Sequence, residues 1–120
     1  MITADQATTS KAYMIAHERS MGFTIVRVGE ADFLPASDWM EATIVSTDGA
    51  RVRLVALLAR DPGHGAFRRL VRALIERGFE PVVVEPFERL ASHLARAGWR
   101  WRRIERGRQG AHVIWYPRRR

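Results

Sequence analysis

The chain has 120 residues, 47% of them hydrophobic and 28% charged, and it contains no cysteine. These values indicate a single globular domain over residues 1–120. Disordered chains are less apolar, and two domains that shared 120 residues would each be too small to bury a core. The missing cysteine excludes disulfides, zinc–thiolate centres and thiol nucleophiles. No apolar run approaches the roughly 18 residues that span a membrane, and no secretory signal is recognisable. We therefore expect a cytoplasmic protein with no membrane partner.

The formal net charge is +7, and 19 of the 20 basic residues are arginine. Arginine suits phosphate and carboxylate binding, because its planar guanidinium donates two parallel hydrogen bonds. A GC-rich genome produces the same bias without any function. The charge is therefore only supporting evidence for an anionic partner.

The first half of the chain is predicted to be one helix followed by antiparallel strands. An N-terminal helical segment, residues 1–22, contains a helix over 5–20 whose weakly apolar face is Ala12, Ile15, Ala16 and Arg19. Strands are predicted at 23–28, 39–46 and 51–59, with a loop or helical turn over 30–38. The Asp48-Gly49 pair predicts a tight hairpin between the last two strands. The strand 51–59 is expected to end buried on both sides.

The second half alternates helices and strands. Residues 66–77 form a helix that ends at Gly78 and carries an apolar stripe of Phe67, Leu70, Val71, Leu74 and Ile75. Residues 87–97 form a second amphipathic helix that ends at Gly98. Between them, 81–84 is an apolar strand that should lie parallel to 51–59 with a right-handed crossover. Strands at 99–104 and 111–116 form a hairpin, and 117–120 is a basic tail. We predict an α/β (α+β) fold with a mixed, mostly antiparallel sheet and two or three helices.

The loop between the parallel strands has the residues of an anion site. It reads Arg60-Asp61-Pro62-Gly63-His64-Gly65-Ala66 and opens the helix 66–77. Free backbone N–H groups at a helix N-terminus attract anions, and glycine permits close approach. An ordinary strand-to-helix turn would also use these glycines. The loop is neither a Walker A motif nor a dinucleotide fingerprint.

The pattern Arg60-x-x-Gly63-x-Gly65-Ala66 resembles the Arg/Gln-x-x-Gly-x-Gly/Ala signature of the GNAT superfamily of N-acetyltransferases. In that family the signature follows a central strand and opens a long helix, and a parallel strand and a second helix ending in Gly-Phe or Gly-Trp come next. This chain has the same order, ending in Gly98-Trp99, and the resemblance covers residues 51–115.

The resemblance implies an acetyl-CoA site and direct acyl transfer to an amine of unknown class. The pyrophosphate would lie on the loop, and the pantetheine would lie where the parallel strands splay into a cofactor cleft. The cofactor-binding residues would be Leu57, Leu58, Arg60, Asp61, Gly63, His64, Gly65 and Ala66.

Two carboxylates are candidates for the general base that deprotonates the amine. Glu85 follows the strand 81–84 at the sheet edge where ligands bind, and Glu41 could face the same cleft; the alternative for Glu85 is a solvated strand end. The family often has a tyrosine as thiolate acid where this chain has Leu94, with His93 beside it. It usually has an asparagine where this chain has Glu88. No histidine and carboxylate spacing suggests a metal site.

A basic aromatic cluster lies near the C-terminus. Alternation puts Trp99 and Trp101 on one face, where we expect them in the core, and leaves the arginines solvated. The alternative is nucleic-acid binding through Arg100, Arg102, Arg103, Arg106 and Arg108.

Three functions therefore remain open. The first is an N-acyltransferase that uses acetyl-CoA. The second is a binding-only descendant, since leucine cannot donate a proton. The third is a basic protein that binds or modifies nucleic acid. A homodimer through exposed strand edges is a further expectation.

Overall fold

A computed structural model describes residues 4–84, 86, 88–105 and 111–117, with side chains omitted at 4–10, 88, 103–105 and 111–113. Within that part of the chain there are three helices and six strands. The helices are α1 (Ala4–Ser20), α2 (Ala66–Glu76) and α3 (Glu88–Arg96). The strands are β1 (Thr24–Val26), β2 (Ile44–Thr47), β3 (Arg51–Ala56), β4 (Glu80–Val84), β5 (Arg100–Glu105) and β6 (Ala111–Tyr116).

The strands form one mixed sheet in the order β1-β2-β3-β4-β6-β5. The pair β3–β4 is parallel, and the other neighbours are antiparallel. This confirms the predicted α+β fold with a mostly antiparallel sheet, one parallel pair and a C-terminal hairpin. The connection of that hairpin, residues 106–110, lies outside the described residues.

The hairpin between β2 and β3 forms as its sequence predicts. Gly49 has a φ of 95°, which an L side chain rarely adopts. The carboxylate of Asp48 accepts hydrogen bonds from the backbone amides of Ala50 (2.9 Å) and Arg51 (2.8 Å). These bonds lower the pKa of Asp48, because they favour its ionised form.

Helices α2 and α3 cover one face of the sheet with an apolar core. Leu70 and Leu74 of α2 are buried with Leu94 of α3 and Leu54 of β3. Ile75, the last residue of the predicted α2 stripe, is instead 53% exposed. Helix α2 thus packs through the middle of its stripe, as the periodicity predicts.

The predicted loop over 30–38 is irregular, as expected, but it is also part of this core. Phe33 and Leu34 are buried in the same apolar cluster. Trp39 is buried as well and forms an isolated bridge with Ala59, so β2 begins at Ile44 rather than at residue 39. The strand prediction was too long, because side-chain pattern cannot separate one bridge from a continuous ladder.

Helix α1 covers the other face over β1 to β3, and its predicted apolar side was wrong. Ala12, Ala16 and Arg19 are exposed, whereas Glu18 is almost fully buried. Its carboxylate accepts hydrogen bonds from Arg53 Nε and from Ser46 Oγ, each at 2.6 Å. A carboxylate rarely enters a core unless it is paired, and the partners sit on strands distant in sequence.

Two further burial predictions were wrong. The segment after β3 does not end buried on both sides: Leu57 is half-buried, and Leu58 is 42% exposed. Trp101 is 60% exposed rather than in the core, while Trp99 packs against the core from a half-buried position. Trp101 lies on β5, the last strand of the sheet, so no further strand flanks it on its outer side.

Candidate functional site

The parallel strands stop pairing at an irregularity in β3. Their register runs from Arg51↔Glu80 to Leu54↔Val83. On the other side of β3, Ala56 pairs with Ile44, but the next pair is Leu54↔Val45, which leaves Val55 as an extra residue. Such a β-bulge bends its strand and increases the local twist. The bulge therefore lies one residue beyond the last pair of the parallel register.

The chain that follows β3 is held against the β2 side of the sheet. The carbonyl of Leu58 accepts a hydrogen bond from the Met40 amide (2.8 Å), and the Leu58 amide donates to Thr43 Oγ1 (3.2 Å). The Arg60 amide donates to the Asp38 carbonyl (2.9 Å). These bonds draw residues 58–60 toward the segment before β2 and away from β4.

The glycine loop turns into α2 through two left-handed residues. Gly63 and Gly65 have φ values of 85° and 82°, and Gly65 is the N-cap of α2 without any side-chain cap. In the part of the chain that the structure describes, the first α2 amide to find a backbone acceptor is that of Arg69, which donates to Gly65 (3.0 Å). Among the described residues, the amides at the start of α2 thus have no backbone acceptor, which is the arrangement that binds anions at helix N-termini.

Arg69 stabilises this loop, a role that the sequence did not suggest. Its Nη1 donates to the His64 carbonyl (2.7 Å), and its Nη2 and Nε donate to the Asp38 carboxylate (2.9 and 3.2 Å). The hydrogen bonds that Arg69 donates to the Asp38 carboxylate raise the pKa of Arg69. A Cβ atom at Gly65 would lie 3.3 Å from Arg69 Nη1. The sequence signal available for this contact was the four-residue spacing of Gly65 and Arg69, which is about one helical turn.

The charged side chains of the loop are engaged within the protein. Arg60, predicted to lie beside a phosphate, donates from Nε to the Ala36 carbonyl at 2.5 Å. His64 Nδ1 lies 3.0 Å from Asp61 Oδ1, and both side chains are well exposed. What the loop offers an anion is therefore chiefly its backbone amides. Ala66, the first residue of α2, is buried.

Of the two predicted bases, Glu41 can be placed. It is exposed and lines a cavity of about 240 Å³ between α1 and the strands β1 and β2. The other lining residues are Lys11, Ile15, Arg19, Ile25, Arg27, Val28, Thr43 and Ile44. Because Ile44 pairs with Ala56, this cavity lies at the same end of the sheet as the bulge. Glu85 lies outside the described residues.

The position that the family fills with a tyrosine holds a core side chain. Leu94 is completely buried, and His93 is exposed, with its ring 6.3 Å from that of Phe67. The side chain of Glu88 is not among those described. Neither Leu94 nor His93 thus stands out as a proton donor.

Part of the basic aromatic cluster is described. Arg100, Trp101 and Arg102 are exposed on β5, and the Arg102 guanidinium lies over the Tyr116 ring at 5.7 Å. The side chain of Arg103, and Arg106, Arg108 and the tail 118–120 entirely, lie outside what the structure describes.

The described part of the chain contains neither a candidate metal site nor a candidate membrane span. The described residues include no group of three or more His, Asp or Glu side chains placed to hold a metal ion. Among the same residues, no helix has the length and apolar character to cross a membrane.

Comparisons of this chain with protein-family models, with curated proteins and with solved structures found no match. Its function is therefore argued from its own geometry.

Proposed function

We propose that this chain is a small GNAT-like N-acyltransferase that binds acetyl-CoA, or a related acyl-CoA, and transfers the acyl group to an amine. The observation that carries the proposal is the bulge at Val55, one residue past the end of the parallel register. A bend there favours a cleft between β3 and β4 at their carboxyl ends, where open sheets bind ligands.

The glycine loop supports the same assignment. It follows directly from the chain that leaves β3, and it presents the unsatisfied amides of α2 at the same end of the sheet. A pyrophosphate on these amides would place the pantetheine arm along the bulged end of β3. The hydrogen bonds of Leu58 to Met40 and Thr43 leave Val55 to Leu57 as the backbone nearest to the arm.

The proposed reaction needs one base and one proton for the leaving group. The neutral amine attacks the thioester carbonyl carbon, the C–N bond forms, the C–S bond breaks, the acylated nitrogen releases a proton to solvent, and the thiolate takes up a proton. Glu41 is the described carboxylate that can accept the proton from the ammonium, directly or through water; Glu85 is the second candidate. Because Leu94 cannot donate a proton, the thiolate is protonated from solvent in this proposal.

Acetyl-CoA binding is tested by thermal unfolding at fixed salt. A ligand of the folded state raises Tm; at 100 times its Kd the stabilisation is about 2.7 kcal/mol. Gly65→Ala and Gly78→Ala provide a matched pair at the two ends of α2, since their φ values are 82° and 80°. Both variants lose stability through backbone strain of about 1–3 kcal/mol.

We expect acetyl-CoA to raise the Tm of Gly78→Ala as it does that of the parent chain, and to have little effect on Gly65→Ala. A similar acetyl-CoA-induced Tm shift for both variants would show that the loop does not bind acetyl-CoA. No shift for the parent chain at millimolar acetyl-CoA or CoA would exclude the proposed function. A shift without any release of CoA thiol with a broad panel of amines would favour the binding-only descendant; the chain has no cysteine to interfere with that assay.

Nucleic-acid binding is the second candidate, and the exposure of Trp101 favours it. The exposed Trp101 offers a base a stacking surface, and Arg100 and Arg102, which alternation places on the other face of this edge strand, add positive charge near it. Trp101→Ala should weaken binding of a labelled single-stranded oligonucleotide by about 1–3 kcal/mol, whereas Tyr13→Ala, which removes another exposed aromatic ring (54%), should not. Binding that is insensitive to salt or to Trp101 would exclude this candidate.

A further inference from the structure

The cavity between α1 and the strands β1 and β2 combines apolar walls with an excess of positive charge. Its described lining includes three cations, Lys11, Arg19 and Arg27, against one carboxylate, Glu41. Thr43 and Ile44 are buried, whereas both arginines and Glu41 are exposed. The cavity thus has an apolar floor beneath charged groups at its opening.

The charges around this opening are not neutralised by one another. Among the described residues, the guanidinium groups of Arg19 and Arg27 and the carboxylate of Glu41 have no hydrogen-bond or ion-pair partner. The Lys11 ammonium makes one long contact, 3.4 Å, to the Glu41 carbonyl oxygen. By contrast, Arg53 and Glu18 on the same face of the sheet are fully paired. Unpaired cations facing an apolar floor complement a ligand that carries an anionic group on a short apolar body.

The cavity has room for a small molecule, because its volume is about 240 Å³. The position is also informative: Thr43 bonds to Leu58 and Ile44 pairs with Ala56. Strand β2, which lines the cavity, is therefore the direct neighbour of β3, which borders the proposed acyl-CoA cleft.

We propose that this cavity binds an apolar α-amino acid as the acyl acceptor, with its carboxylate on Arg19 and Arg27 and its amino group toward Glu41. This substrate class rests on the proposed acyltransferase function, but the binding of the amino acid does not. The side chain of the amino acid would lie on Ile15, Ile25 and Ile44. The amine would then face the carboxylate already assigned as base, on the side from which it can reach the thioester.

The test measures binding by the whole chain in the absence of acyl-CoA. Calorimetric titrations compare L-leucine with two analogues: L-leucinamide lacks the carboxylate, and 4-methylpentanoate lacks the amine. L-valine, L-methionine and L-phenylalanine are titrated as further apolar amino acids. We expect L-leucine to bind best and Arg27→Gln to raise its Kd about tenfold, the loss typical of one charge-assisted hydrogen bond. Arg72→Gln is the matched control, because Arg72 is an exposed arginine of α2 outside the cavity.

Several results would overturn the inference. The first is that none of the four amino acids L-leucine, L-valine, L-methionine and L-phenylalanine binds at about 10 mM, a concentration above typical KM values. The second is that L-leucine and L-leucinamide bind equally well. The third is that Arg27→Gln and Arg72→Gln change the Kd of L-leucine equally. Inorganic phosphate that binds without any competition from L-leucine would show a simple anion site instead. The acetyl-CoA thermal shift is measured separately. If it succeeds and amino-acid binding fails, only the acceptor class is wrong; the reverse result would leave an amino-acid site without the acyltransferase.

Discussion

The two faces of the sheet are packed by different chemistry. On the face covered by α2 and α3, the buried contacts are apolar, with Leu54, Leu74 and Leu94 at their centre. On the face that carries α1, Glu18 and Arg53 form a buried ion pair beside a smaller apolar cluster of Val82, Val84 and Ile114. The first kind of contact is non-directional, whereas the second requires one relative position of helix and strand.

This difference shows how α1 comes to shape the proposed acceptor cavity. Burying an ion pair adds little net stability, but it can favour one packing arrangement over others. Glu18 binds Arg53 and Ser46, and its helix neighbours Ile15 and Arg19 line the cavity. The pair therefore positions the cavity wall, while α2 and α3 supply the apolar stability. We infer that the two faces divide these tasks.

The largest effect should come from breaking the ion pair on one side. Glu18→Ala leaves the Arg53 guanidinium buried without its carboxylate, although Phe23 still lies 5.0 Å from it. We expect a loss of about 3–5 kcal/mol in the free energy of unfolding, measured by urea titration. The double variant Glu18→Met with Arg53→Met is the control, and it should be close to the parent chain. A loss below about 1 kcal/mol for Glu18→Ala would contradict the assigned role of this pair.

The apolar face should respond to a change in volume. Leu74→Ala removes a fully buried side chain from the core and should lower the free energy of unfolding by about 2–5 kcal/mol. Ile75→Ala, at the next position and 53% exposed, is the matched control and should stay within about 1 kcal/mol of the parent. Unlike Glu18→Ala, Leu74→Ala should leave amino-acid binding to the α1 cavity intact in whatever fraction is folded. If Leu74→Ala and Ile75→Ala lowered the free energy of unfolding equally, α2 would have to pack through a different face from the one described.

The sequence predicted best where a local pattern decides the structure. The periodicity of α2 and the Asp48-Gly49 hairpin were predicted correctly, because each depends on neighbouring residues. The parallel pair β3–β4 was also predicted correctly, because a strand–helix–strand connection limits how its two strands can pair. Strand ends were predicted less well, as with Trp39, because pairing depends on where the partner strand lies. The exposure of Trp101 was missed for a related reason: alternation gives two faces but does not reveal that β5 is the outermost strand.

The candidate site needed contacts that no local pattern contains. The bulge at Val55 follows from pairing with β2, and Arg69 reaches back to Asp38 across 31 positions. The partnership of Glu18 with Arg53 spans 35 positions. In a single sequence Glu18 was one charged residue of a weakly amphipathic helix. The glycine loop, which is continuous in sequence, was the part of the site that could be recognised.

The smallest expected effect on stability comes from Asp48, an exposed carboxylate that accepts hydrogen bonds from backbone amides. Bonds from the amides of Arg51 and Ala50 hold the pKa of Asp48 below its ordinary value of 3.8. Since the folded state binds the proton less tightly than the unfolded state, this contribution is present above pH 3.8 and disappears as the pH falls through the lowered pKa. Asp48→Asn keeps a side-chain acceptor but does not titrate. Thermal melts from about pH 5 to about pH 2 should therefore converge for the two chains, with the parent more stable only at the upper end. Parallel curves would show that the hairpin bonds do not depend on the charge.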